Sequence, residues 1–141
     1  MVYVDTSVLV ALLTNEGHSP AVARWYAHSR AELVSASWCV TEFASALGIK
    51  QRTGQIDSEQ ATAVWQQFER LAANDLQLLP VDPAQFHRAA TLTLYAKSGL
   101  RAGDALHLAC AEHAGAKSMA TLDEVLGRNA QQLKIKPVAF S

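Results

Sequence analysis

Asp5, Glu42, Asp104 and Asp123 are the residues whose types and surroundings in this sequence suit chemistry. Asp5 is the only charged side chain among residues 1 to 15, and Glu42 is the only one between Leu33 and Ile49. An ionised group in so apolar a segment is costly unless it is paired or coordinated. Asp104 lies in Leu100-Arg101-Ala102-Gly103-Asp104-Ala105-Leu106-His107, and Asp123 in Thr121-Leu122-Asp123-Glu124. Taken singly, three of them have ordinary roles. Asp5 suits an N-cap, Asp104 a first-turn acid paired with Arg101, and Asp123 a turn in which Thr121 and Glu124 have capping-box spacing. Taken together, all four adjoin predicted strand ends, and gathered carboxylates repel one another unless a cation binds. Hard oxygen ligands suit Mg²⁺ or Mn²⁺ far better than zinc. Such an ion, held by a few carboxylates with waters left in its shell, suits phosphodiester hydrolysis by metal-activated water.

The elements that must position these acids alternate between strand and helix. Val2-Tyr3-Val4-Asp5 reads as a strand and Val8 to Leu13 as a buried helix. Ser19-Pro20 reads as an N-cap followed by Pro at the first helical position, with the helix running to Arg30. Leu33 to Ala36 is a strand candidate, followed by a helix from about Trp38 to Arg52 that stops at Gly54. Asp57 and Gln60 form a capping-box signature ahead of Ala61, Val64, Trp65, Phe68, Leu71 and Ala72 at helical spacing. Leu76 to Val81 reads as a strand, Asp82-Pro83 opens a helix towards Gly99, and Ala102 to Ala114 is a helix closed by Gly115. Lys117 to Thr121 and Lys136 to Phe140 are further strands, with a short helix between them. Parallel neighbours need crossover helices, so the pattern predicts a three-layer α/β/α domain. Ligands of such sheets gather outside the carboxyl ends of the strands, where these acids fall.

With these motifs in place, the chain resembles a PIN-domain ribonuclease, and more narrowly a VapC-type toxin of a toxin–antitoxin pair. The resemblance rests on Val4-Asp5-Thr6-Ser7, on Thr41-Glu42-Phe43, on Arg101-Ala102-Gly103-Asp104-Ala105-Leu106-His107-Leu108-Ala109 and on Thr121-Leu122-Asp123, in that order over essentially the whole chain. Leu126 departs from the pattern, standing where many members carry an aromatic. The resemblance implies a five-stranded parallel sheet, Mg²⁺- or Mn²⁺-dependent endonucleolytic cleavage of RNA, a homodimer and inhibition by a cognate VapB-like antitoxin. It implies Asp5 and Asp104 as direct metal ligands, Glu42 and Asp123 completing the acidic site, and Ser7 supporting it, with Thr121 from the late Thr-x-Asp beside them. Glu42 is open to two roles, orienting or deprotonating the attacking water, or coordinating the ion from the outer shell. The resemblance also directs attention to Trp25 and Tyr26 as antitoxin anchors, since large amphipathic residues favour interfaces.

The chain has 141 residues, 50% apolar and 18% charged, and reads as one domain over residues 1–141. Its formal charge of -1 excludes nucleic-acid binding by bulk charge, yet with the four acids set aside, nine acids face 12 bases. Lys50, Arg52, Lys97 and Arg101 are the candidates for phosphate contacts. The longest aliphatic run, Val8 to Leu13, is far shorter than the roughly 18 residues of a membrane span. Cys39 and Cys110 form no Cys-x-x-Cys pair and suit buried positions in a reducing cytoplasm. The histidines lack a zinc-protease pattern, and His107 reads as a helix residue packed behind the site. Trp38, Trp65 and Phe68 read as core. A phosphatase of the haloacid-dehalogenase type would need a second Asp where Ser7 stands. A maturation nuclease without an antitoxin, and a non-catalytic module in which the acids are only caps, are the remaining alternatives.

Overall fold

The computed structural model describes all 141 residues. The chain runs β1 (Val2–Val4), α1 (Thr6–Leu13), α2 (Ser19–His28), β2 (Leu33–Ala36), α3 (Trp38–Arg52), α4 (Ser58–Asn74), β3 (Leu76–Leu79), α5 (Pro83–Leu94), a 3₁₀ turn (Ala96–Ser98), α6 (Ala102–Ala114), β4 (Ser118–Ala120), α7 (Glu124–Gln132) and β5 (Lys136–Pro137). All strand pairs are parallel, in the order β3-β2-β1-β4-β5. The chain builds outward from β1 to β3, then crosses back to place β4 on the other side of β1. That reversal makes the carboxyl edge between β1 and β4 the switch point where ligands of such sheets bind.

Alternation along the strands feeds two separate cores, one on each face of the sheet. Tyr3, Val34, Ala36 and Met119 point to the face covered by α5, α6 and α7. Val4, Leu76 and Ala120 point to the face covered by α1, α3 and α4. Phe43 of α3 stacks on Phe68 of α4 with ring centroids 4.4 Å apart, and Trp65 packs beside them. Asp5 follows the parity of Tyr3, so its side chain emerges on the α6 side of the edge. This is the expected α/β/α fold with five parallel strands.

Local chemistry explains where the elements begin and end. Asp57 accepts from the Gln60 N–H at 2.8 Å while the Gln60 side chain accepts from the Asp57 N–H at 2.9 Å, which closes the capping box of α4. At α5 the Gln85 side chain likewise accepts from the Asp82 N–H at 2.8 Å, while the Gln85 N–H donates to the Asp82 carbonyl at 3.0 Å. Several boundaries differ from the sequence reading. Ser19 is the first residue of α2 rather than its cap, because its hydroxyl is occupied by the Thr14 carbonyl and the Glu16 N–H. The helix predicted from Asp82 to Gly99 stops at Leu94, and a 3₁₀ turn carries the chain to Gly99, whose φ of 68° lets it reverse. The strand read as Leu76 to Val81 ends at Leu79, and β5 spans two residues.

Candidate active site

Asp5 is fixed from both sides of β1. Its backbone N–H still donates to the Ala120 carbonyl at 3.0 Å, so the last ladder bond sets its Cα. The side chain is 3% exposed. Oδ1 accepts from the Ser7 hydroxyl at 2.6 Å and the Val8 N–H at 3.2 Å, and Oδ2 accepts from the Thr121 hydroxyl at 2.5 Å. Asp5 is therefore the N-cap of α1 and also the floor of the acidic cluster, which joins two readings the sequence kept apart. The same hydroxyls lace the loop after β4 to this floor: Thr121 accepts from the Asp123 N–H, and Ser7 from the Leu122 N–H, each at 3.0 Å. Burial pushes the Asp5 carboxyl above its ordinary range, against the pull of the Ser7 and Thr121 hydroxyls.

Asp104 stands in the first turn of α6, half-buried, and Asp123 caps α7 by accepting from the Leu126 N–H at 2.9 Å. The capping box expected of Thr121 and Glu124 does not form, because Asp123 itself caps the helix and the Thr121 hydroxyl is spent on Asp5. Leu126, the departure from the family pattern, is fully buried in the α6–α7 core. Burial raises the Asp104 carboxyl above its ordinary range, and the negative charges of Asp123 and Asp5 raise it further against the opposing Arg101. Arg101 lies 3.7 Å from both Asp104 and Asp123, but at 83% exposure it screens them only weakly.

Glu42 reaches the same edge from α3. Its Oε1 accepts from the Thr6 hydroxyl at 2.6 Å and pairs with Nε2 of the buried His107. Nδ1 of that ring lies 2.7 Å from the Tyr3 hydroxyl, which accepts the Ala36 N–H at 3.1 Å. Burial opposes ionisation of Glu42, but the hydrogen bonds from His107 and the Thr6 hydroxyl outweigh it and hold the carboxyl below its ordinary range. Oε2 faces Gly103, where a Cβ would sit only 3.0 Å away.

The hydrogen-bonding roles of Thr6, Tyr3 and His107 are absent from the sequence reading, although periodicity carried a signal for two of them. Tyr3 is two residues before Asp5 on an extended strand, and His107 three after Asp104 on a helix, so each shares a face with an acid. Trp38, expected in the core, is half-buried at the rim, and its buried Nε1 makes no hydrogen bond of good geometry.

A groove of about 690 Å³ runs from Thr6, Ser7 and Glu42 past Trp38, Thr41 and Ser45, and neither lysine nor arginine lines it. Lys50, expected as a phosphate contact, is buried, 3.1 Å from Glu16 and 3.3 Å from the Gln55 side chain. An RNA contact there would have to break that pair. Arg52 is exposed at the end of α3, ~15 Å along the helix from Glu42. Lys97 is exposed in the 3₁₀ turn, and Arg101 alone of the four reaches the acids. Trp25 packs edge-to-face on Phe140 and Tyr26 donates to Asp75 at 2.8 Å, so both proposed anchors are half-buried and already engaged. Cys39 and Cys110 are buried free thiols pushed up to about 11 by that burial.

No three carboxylates or histidines converge closely enough to enclose a metal ion unaided. The donor set still fits Mg²⁺ or Mn²⁺, which bind through one or two carboxylates and retain several waters. Asp104 sits above its ordinary range, raised by burial and then by the charges of Asp123 and Asp5, as expected of neighbouring acids short of positive charge.

The PIN domain family model matches residues 2–132, and the chain belongs to that family. Among curated proteins no sequence match is found. Its fold is that of solved structures of low identity. VapC20 of Mycobacterium tuberculosis, described as a Sarcin-Ricin loop cleaving toxin, superposes with a TM-score of 0.76 at 16% identity, covering 97% of this chain and 100% of that one. FitAcB from Neisseria gonorrhoeae gives 0.73 at 18% identity, with coverage of 99% and 97%. VapBC2 from Rickettsia felis, bound to a DNA fragment from its promoter, gives 0.65 at 14% identity over 100% of both chains.

Proposed function

We propose that this PIN-domain protein is an endoribonuclease dependent on Mg²⁺ or Mn²⁺, and that it is the toxin of a toxin–antitoxin pair. The observation that carries this reading is the gathering of the acids at the switch point of the sheet: Thr121 joins Asp5 to the Asp123 backbone, Arg101 lies 3.7 Å from both Asp104 and Asp123, and Glu42 is fixed beside them. Asp5 and Asp104 would hold the ion, with Asp123 adjacent. The ion would supply Lewis acidity, activating water and neutralising charge that develops on the phosphate. The chain's own residues supply orientation. Ser7 and Thr121 hold both oxygens of Asp5, so its carboxylate cannot rotate freely. Glu42, anionic and anchored through Oε1, offers Oε2 as an acceptor for a water proton. Its depressed pKa favours orienting water over removing its proton. Arg101, long and exposed, can turn from the acids to a phosphate once they are neutralised.

The solved neighbours described as a Sarcin-Ricin loop cleaving toxin and as VapBC2 bound to a promoter DNA fragment support a VapB-like antitoxin as partner. Fixed negative charge at the rim suits occlusion by an arginine or lysine of that partner. Homodimerisation is supported by apolar side chains left bare on the α5 side: Phe86 is 54% exposed, Leu94 84% and Tyr95 61%. A single domain over residues 1–141 and a cytoplasmic location complete the reading; no helix is long and apolar enough to cross a membrane. Induced expression in bacteria tests the toxin role. The wild type should arrest growth and generate new RNA ends, whereas Asp104→Asn should do neither. Cleavage of RNA in vitro without growth arrest would favour a maturation nuclease, and no cleavage would favour a non-catalytic module.

A further inference from the structure

We propose that Tyr3 and His107 are positioning residues for Glu42: the Tyr3 hydroxyl donates to Nδ1, the imidazole is thereby fixed as its Nε2–H tautomer, and Nε2–H donates to Glu42 Oε1. This rests on the nuclease reading only for what Glu42 then does. The contacts fit one direction for each bond. The Tyr3 oxygen accepts the Ala36 N–H at 3.1 Å, which leaves its hydrogen free to be donated to Nδ1, 2.7 Å away. A ring that accepts at Nδ1 must carry its proton at Nε2, the nitrogen paired with Glu42. The Thr6 hydroxyl donates to the same Oε1 at 2.6 Å. Two donors therefore saturate Oε1, while Oε2 lies against Gly103 at the rim.

The arrangement links the two elements that carry the principal acids. Tyr3 shares a strand face with Asp5, and His107 shares a helix face with Asp104. Both relay side chains are fully enclosed: Tyr3 is 0% and His107 1% exposed. A substrate cannot touch them, and the polar groups within reach of His107 are Tyr3, Thr6 and Glu42, so the pair acts on catalysis by positioning. Outer-shell partners of this kind hold a carboxylate in one orientation, and removing them from metal sites costs roughly 10- to 100-fold in affinity or activity.

Two measurements test it. Long-range ¹H–¹⁵N correlation spectra of the metal-free wild type should give a pyridine-like Nδ1 and a pyrrole-like Nε2 for His107; an Nδ1–H tautomer or a doubly protonated ring overturns the proposal. This readout needs neither metal nor substrate. In Mn²⁺-dependent RNA cleavage, His107→Leu should lower kcat roughly 10- to 100-fold with little change in KM. His107→Gln, whose amide N–H can replace the Nε2 donor, should recover most of that loss. Tyr3→Phe, which keeps the ring, should broaden the tautomer population and lower kcat in the same direction. Equal impairment of the Leu and Gln variants with unchanged folds, or full activity of the Leu variant, overturns positioning. A wild type that cleaves no RNA overturns the nuclease reading, and the spectrum then decides the relay by itself.

Discussion

Replacing Gly103 by alanine should separate stability from activity. Gly103 lies in the first turn of α6 with no left-handed backbone requirement, so alanine is conformationally welcome. Helix propensity alone favours the substitution by up to about 1 kcal/mol. The new methyl, however, would sit 3.0 Å from Glu42 Oε2 and 3.4 Å from Trp38 Nε1, against an ordinary contact distance of 3.4–4 Å. Something must retreat by a few tenths of an ångström. Oε1 is held by Thr6 and His107, so relief comes from rotating the carboxylate away from the rim, which displaces the oxygen that faces the site. A misplacement approaching 1 Å at a reacting group costs about 10²-fold in rate, so a smaller shift should cost about 10-fold. The folded state should change by no more than about 1 kcal/mol, or a few degrees in Tm for a chain of this size. Thermal melts and Mn²⁺-dependent cleavage of a labelled pool of random-sequence single-stranded RNA make the comparison. An alanine variant with wild-type cleavage would refute the claim that Glu42 Oε2 is the working oxygen. Loss of activity together with a collapse in Tm would refute the steric reasoning.

Further outcomes are expected elsewhere. Asp104→Asn should raise the Tm of metal-free protein at pH 7, because it removes a carboxylate whose charge is opposed first by burial and then by Asp123 and Asp5. Asp5 and Asp104 are both raised in the fold, so their favourable contribution is complete below the unfolded value near ~3.9 and lost as pH rises through their folded values. The Tm advantage of Asp104→Asn should therefore shrink between pH 7 and pH 4, and a constant difference would contradict the raised Asp104 carboxyl. Mn²⁺ at 100 times its Kd should stabilise the wild type by about 2.7 kcal/mol and Asp104→Asn much less; equal shifts in paired melts would remove the metal site. Lys50→Met should lower stability by roughly 1.5 to 3 kcal/mol, the range for a hydrogen bond to a charged group, and leave the KM for RNA unchanged. A raised KM would restore Lys50 as an RNA contact. Leu94→Glu should convert a dimer to monomer in analytical ultracentrifugation, and an unchanged sedimentation coefficient would point to another face.

The α/β/α architecture was legible because strand and helix periods alternate from Val2 to Pro137 and the caps are locally encoded. Asp57 with Gln60, Asp82 with Pro83 and Gly115 each mark a boundary through bonds within a few residues. Boundaries set by longer-range partners were not legible. The Ser19 hydroxyl went to Thr14, and Thr121 served Asp5, 116 residues away in sequence. The four acids stood out because their segments are otherwise free of charge or carry a recognisable pattern. The side chains that orient them did not, since a tyrosine in a strand and a histidine in an apolar helix look like core until β1, α3 and α6 meet. Lys50 shows the reverse: a lysine that sequence reads as surface is buried because Glu16, on a distant loop, supplies its countercharge.

The measurement that bears most directly on the acidic site is the chemistry of the RNA ends it leaves. Water activated by a bound ion, attacking phosphorus with the 3′-oxygen as leaving group, yields 5′-phosphate and 3′-hydroxyl termini, whereas attack by the RNA's own 2′-hydroxyl expels the 5′-oxygen and leaves a cyclic or 3′-phosphate. End-labelling of products from wild-type protein in Mn²⁺ should show 5′-phosphates, with no cleavage in EDTA and none by Asp5→Asn or Asp104→Asn. Cyclic phosphates formed equally well in EDTA, or by either variant, would mean that the acids at the β1–β4 switch point do not perform the reaction.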